Sequence, residues 1–152
     1  MTIKDLKPAL VFSIFDEINH VPRPSKKEEK IREYLLDFAA RNNIAVRTDA
    51  IGNVVMSKPA TPGKEDAPTV VLQSHMDMVC ESNDKSFDFD TMPIKTIVDG
   101  DWLRADGTTL GADNGIGMAA SLAVMVDNTL VHGPVEALFT VDEETGLTGA
   151  NN

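Results

Sequence analysis

Apolar residues recur at helical spacing near the start of the chain. Leu6, Leu10, Phe12, Ile14, Phe15 and Ile18 form a broad stripe that predicts a helix over about residues 5–19, with Pro8 tolerated in its first turn. Val21-Pro22-Arg23-Pro24 then forces an extended turn, because a residue ahead of proline is pushed out of the helical region. Ser25-Lys26-Lys27-Glu28 has the form of a capping box, with Ser25 as N-cap and Glu28 reaching back. The helix it opens carries Ile31, Leu35 and Phe38 on one stripe and stops at Asn42-Asn43.

Beyond that point the period changes. Residues 44–48 and 53–58 read as strands joined by Asp49-Ala50-Ile51-Gly52, and Pro59 to Pro68 is a polar, proline-bracketed loop. Residues 69–74 are a short apolar run of the kind found in a buried strand, whereas 81–92 show no period and read as loop. Residues 95–98 and 101–104 flank Asp99-Gly100, a hairpin signal. A helix is expected from about Gly115 to Asp127, carrying Met118, Leu122, Met125 and Val126, and a last strand over 135–141. This mixture of helices and strands indicates a layered α/β domain.

Composition narrows the function. With 14 Lys+Arg against 24 Asp+Glu, the 152 residues carry a net charge of −10, which argues against a nucleic-acid binder. No apolar stretch approaches the roughly 18 residues of a membrane span, and the N-terminus shows no signal-peptide pattern, so a soluble cytoplasmic protein is expected. A lone cysteine, Cys80, allows neither an internal disulfide nor a Cys-rich zinc site.

Three clusters at strand ends carry the candidate chemistry. Ser74-His75-Met76-Asp77-Met78 ends the third strand, and extended backbone puts His75 and Asp77 on one side, as suits a metal ligand and the carboxylate that orients it. The segment 107–117 holds four glycines around Asp113, read either as a helix N-cap or as a carboxylate able to bridge two cations. It lacks the Gly-Lys-Ser/Thr of a phosphate loop, and Asp113 would repel phosphate. Asp142-Glu143-Glu144 follows the last strand, where adjacent carboxylates face different ways, so that one can ligate a metal while its neighbour acts as general base. Nitrogen and oxygen ligands without thiolate suit Zn²⁺, with Mn²⁺ or Co²⁺ as substitutes. His20, His132 and Cys80 receive structural readings, and Trp102 that of a packing residue.

Residues 74–79, the glycine-rich segment 107–117 and Glu143-Glu144-Thr145-Gly146 resemble the co-catalytic zinc peptidases that include peptidase T, and among them the bacterial aminoacyl-histidine (cytosol non-specific, Xaa-His) dipeptidases. Lys58-Pro59-Ala60-Thr61, Val131-His132-Gly133-Pro134 and the opening helices extend the likeness over essentially the whole chain. The resemblance implies a three-layer α/β/α catalytic domain with a mixed, largely parallel sheet, of which residues 1–152 are the N-terminal portion. It assigns His75 to one zinc, Asp113 to both and Glu144 to the other, Asp77 to the support of His75, and Glu143 to the role of general base towards a di-zinc-activated water. The bond after the bridging aspartate, here Asp113–Asn114, is commonly cis in that family.

The implied substrate is a small dipeptide, often with C-terminal histidine. The full-length protein is expected to be a homodimer with no nucleic-acid or membrane partner. The rest of the catalytic domain, the lid or dimerisation domain and the remaining metal ligands are expected to lie beyond residue 152, leaving this portion inactive alone and with apolar sheet surface uncovered. The alternative is a non-catalytic α/β metal-binding or interaction module on the same scaffold, and an intact Glu143 favours the peptidase.

Overall fold

A computed structural model describes all residues, 1–152. After a 3-10 turn at Ile3–Asp5 come α1 (Ala9–Asn19), α2 (Glu29–Arg41), β1 (Ala45–Thr48), β2 (Val54–Lys58), β3 (Val70–His75), β4 (Thr96–Asp99), β5 (Trp102–Ala105), α3 (Ala112–Val126) and β6 (Val135–Thr140). The first helix starts later than the apolar stripe suggests. Pro8 sits ahead of α1 with extended backbone (ψ 128°), at the φ its ring imposes, and Leu6 is extended as well, so the chain enters the helix only at Ala9.

The main sheet has the order β1-β2-β6-β3. β1–β2 and β2–β6 are antiparallel and β3–β6 is parallel, so the sheet is mixed, without the expected parallel majority among these strands. Register puts Val54 opposite Phe139 and Met56 opposite Ala137, so these side chains share a face. On that face they join Ile14, Phe15 and Ile18 of α1, Ile31, Leu35 and Phe38 of α2, and Met118, Leu122 and Met125 of α3 in a single core. The three helices therefore form one layer. Across the sheet, Val55 and Leu138 are only half-buried.

Two strand expectations need correction. The run at 69–74 is not a buried strand throughout: Val70 and Val71 of β3 are 51% and 52% exposed, since β3 is an edge strand paired with β6 alone, and only Ser74 and His75 at its end are buried. The β4–β5 hairpin turns one residue later than expected, because Asp99 pairs with Trp102 and leaves Gly100-Asp101 as its loop. Gly100 takes the positive φ (+60°) that a tight hairpin demands. Trp102, expected to pack, is 77% exposed on this outlying hairpin.

Candidate metal centre

The parallel pairing of β3 with β6 brings their carboxyl ends side by side, with His75 opposite Thr140. The loop after β3 carries Asp77, the loop after β6 carries Glu143 and Glu144, and α3, packed against β3, presents Asp113 in its first turn. This is where the crevice of an open α/β sheet forms. One ligand atom each from His75, Asp113 and Glu144 lies within 4.8 Å of the others. His75 Nε2 is 3.0 Å from Asp113 Oδ1 and 3.7 Å from Glu143 Oε2. All five residues singled out in the sequence meet here.

Asp113 is not a helix cap. The N-cap position belongs to Gly111, in the left-handed region (φ +68°), and the backbone is non-helical at Asp113 and Asn114 before the helix proceeds. The Asp113–Asn114 peptide bond is cis. The Asp113 side chain, 84% exposed, reaches out over His75.

Asp77 is fully buried, and its oxygens already have partners. Oδ1 accepts the Glu143 N–H at 3.0 Å, and Oδ2 accepts the Ser25 hydroxyl at 2.7 Å and the Glu144 N–H at 3.2 Å. His75 Nδ1 lies 3.0 Å from the Asp77 carbonyl and 3.2 Å from Oδ1, which leaves Nε2 facing Asp113. Asp77 thus supports the ring and the glutamate loop and has no oxygen left open for a cation. Glu28, Asp77 and Asp142 form a second, wholly buried carboxylate group, but each of its members already accepts protein donors. Glu28 Oε1 accepts the N–H groups of Lys26 and Asp142, and Asp142 accepts the hydroxyls of Thr145 and Thr148.

These contacts set the electrostatics. Burial acts to lower the His75 imidazole, but its bonds to Asp77 and Asp113 and the charges of Asp77 and Glu143 outweigh this and raise it to about 9. Burial opposes the Asp77 charge, yet His75, the two backbone N–H groups and Ser25 hold the carboxyl well below the usual range. Glu144 is raised, first by burial, and by Asp113 and Glu143 against the opposing effect of His75. Burial lifts the Cys80 thiol to about 11, so it is no nucleophile near neutrality.

Four supporting residues escape a reading of the sequence for chemistry. Ser25 and Glu28 do not form the expected capping box: α2 starts at Glu29 without a side-chain cap, and both side chains are spent on the loops of Asp77 and Asp142. Arg23 is 2% exposed, and its Nη1 donates to the carbonyls of Met76 and Asp77, its Nη2 to that of Gly111. Asn53, between β1 and β2, accepts the Val141 N–H and donates to the Gly149 carbonyl, bracketing the segment that holds the glutamates. Ser25 and Glu28 were visible as a motif, and neither Arg23 nor Asn53 carries a periodic signal. His20 and His132 stay outside the centre, bonded to the carbonyls of Asp16 and Gly133.

An α/β scaffold that gathers a histidine and three carboxylates at parallel strand ends is the architecture of a hydrolase family, and the chain belongs to it: residues 71–152 match peptidase family M20/M25/M40. It is 47% identical over 149 residues to the cytosol non-specific dipeptidase of Escherichia coli, which covers 97% of this chain and 31% of that protein. The crystal structure of aminoacylhistidine dipeptidase from Vibrio alginolyticus superposes with a TM-score of 0.96 at 48% identity, over 100% of this chain and 31% of that one. Aminopeptidase PepT from Bacillus cereus follows with a TM-score of 0.73 at 27% identity, over 93% and 38%. The likeness to dipeptidases and to peptidase T expected from the motifs is borne out. The chain spans about a third of the length of these relatives.

Proposed function

We propose that this chain is the metal-binding N-terminal portion of a cytoplasmic dipeptidase that hydrolyses unblocked dipeptides, Xaa-His among them. The observation that carries the reading is the convergence of His75, Asp113 and Glu144 within 4.8 Å, with Glu143 beside them. Family membership and the named dipeptidases among the relatives support it. The donor set, one imidazole nitrogen and carboxylate oxygens without sulfur, fits zinc, with manganese or cobalt as substitutes. His75 would hold one ion, Glu144 a second and Asp113 both, and further ligands would come from outside these residues. Bound divalent ions supply Lewis acidity, which polarises the scissile carbonyl and acidifies water.

The chain's own residues do the rest. Asp77 holds the His75 ring with Nε2 presented and, through the N–H groups of Glu143 and Glu144, fixes the main chain beneath both glutamates. The Glu143 carboxylate stays half-exposed and has no hydrogen-bond partner tying it down. It takes a proton from the attacking water and delivers it to the leaving amine nitrogen.

The test is hydrolysis of Xaa-His dipeptides by the longer protein, with and without chelator, for the wild type and Glu143→Gln. Chelation should abolish turnover. The substitution should lower kcat by at least about 100-fold, the lower end of general-base contributions, while metal content is unchanged. Unaltered turnover in Glu143→Gln would remove its assigned role. The 152-residue chain alone is expected to be inactive.

A further inference from the structure

We infer that Arg23 is a positioning residue that clamps the loop of His75 and Asp77 to the loop of Asp113 and so sets the spacing of the metal ligands. The inference rests on the metal-centre reading above and deepens it. Arg23 comes from the connector between α1 and α2, which contributes no candidate ligand. Its guanidinium is buried, yet no carboxylate lies close enough to form an ion pair with it, and its Nε has no partner. A buried charge of that kind is costly, and stability alone gives a weak reason for it.

What the guanidinium does instead is span two loops. Nη1 donates to the carbonyls of Met76 and Asp77 at 3.1 Å each, and Nη2 donates to the carbonyl of Gly111, two residues ahead of Asp113. The Asp77 carbonyl is also the group 3.0 Å from His75 Nδ1. Arg23 therefore fixes the acceptor that orients the imidazole and, with its other nitrogen, the approach of the segment that carries the bridging carboxylate. Pro24 strengthens the link by bridging to Met78, whose N–H donates to the Arg23 carbonyl.

The glycine-rich segment is shaped around this side chain. A Cβ at Gly111 would overlap Nη2, and one at Gly115 would come within 2.6 Å of it. Two of the four glycines at 107–117 thus make room for a guanidinium contributed from almost ninety residues earlier in the chain. A planar fork with several fixed donors suits this task, whereas a lysine offers a single point charge without the fork's fixed spread of donors.

The experiment is Co²⁺ titration of the protein, followed by visible absorption and by competition with a chelating dye. It compares the wild type, Arg23→Gln, Arg23→Lys, His75→Ala as ligand control, and Leu122→Ala as a core-destabilised control remote from the centre. Circular dichroism fixes conditions under which each variant is folded. Both Arg23 variants should bind Co²⁺ about 10–100-fold more weakly, as is typical when a partner of a metal ligand is lost, with an altered absorption band. Leu122→Ala should bind as the wild type does.

Wild-type affinity in Arg23→Gln would overturn the inference. So would full rescue by Arg23→Lys, which would make charge sufficient, or equal weakening in Leu122→Ala, which would trace the effect to stability. Binding that persists in His75→Ala would instead overturn the metal-centre reading, and the role of Arg23 with it.

Discussion

His75 must lose a proton before it can ligate a metal, and its surroundings make that proton hard to lose. Without metal, its raised value, about 9, means that the charged imidazole stabilises the fold. The sign follows from the direction of the shift: the contribution is complete below the ordinary histidine value and disappears as pH rises through about 9. Metal uptake reverses the preference, because only neutral imidazole binds. Near pH 7.5, binding of Zn²⁺ is therefore expected to release about one proton from His75, and the release should vanish well above pH 9. Calorimetry in buffers of different ionisation enthalpy measures it, and a pH-independent count near zero would mean that His75 is not a ligand.

Among the elements, the start of α2 tells most about what a sequence can disclose. Ser25-x-x-Glu28 obeys the capping rule, yet the N-cap position of α2 falls to Glu28 rather than Ser25, and the two side chains bond to Asp77 and to the N–H groups of Lys26 and Asp142. Local spacing is the same whether a hydroxyl and a carboxylate turn back to their own backbone or out to another loop, so the pattern located the start of the helix to within a turn but neither its N-cap nor the partners. The candidate clusters around His75 and Glu143 were legible because they follow apolar strand runs, and the one around Asp113 because four glycines crowd it ahead of a helix. Arg23 was not, since its partners are carbonyl oxygens, which any residue offers. The exposed half of β3 was misjudged because an apolar run does not say whether its strand lies inside the sheet or at its edge. Glu28→Ala separates the two readings of its motif. It should cost about 1–3 kcal/mol in urea unfolding, since it strips the acceptor from two N–H groups. In hydrogen exchange the Asp142 amide should speed up while those of residues 30–33 stay unchanged; fraying of α2 would restore the capping-box account.

At the scale of the whole molecule, one layer of helices covers one face of a four-stranded sheet. Register places Val55, Leu138 and, one strand further, Gln73 across the other face, with Val71 beside Glu136. No helix is long and apolar enough to cross a membrane. With this face half-open and β3 unpaired along one edge, the 152-residue polypeptide should self-associate at micromolar concentrations. Sedimentation should show the double variant Val71→Lys/Leu138→Lys shifted towards monomer with its melting temperature little changed. Equal association in that variant would put the contact elsewhere.

The carboxamide of Asn53 reaches the Val141 N–H with its oxygen and the Gly149 carbonyl with its nitrogen, while Asp49 fastens it from the other side. Anyone transplanting the β1–β2 connection from another protein would therefore be exchanging part of the mounting of the glutamates, although that turn contributes nothing to the chemistry itself. A graft chosen only for its fit to the two strands would leave the acidic segment hinged at both ends.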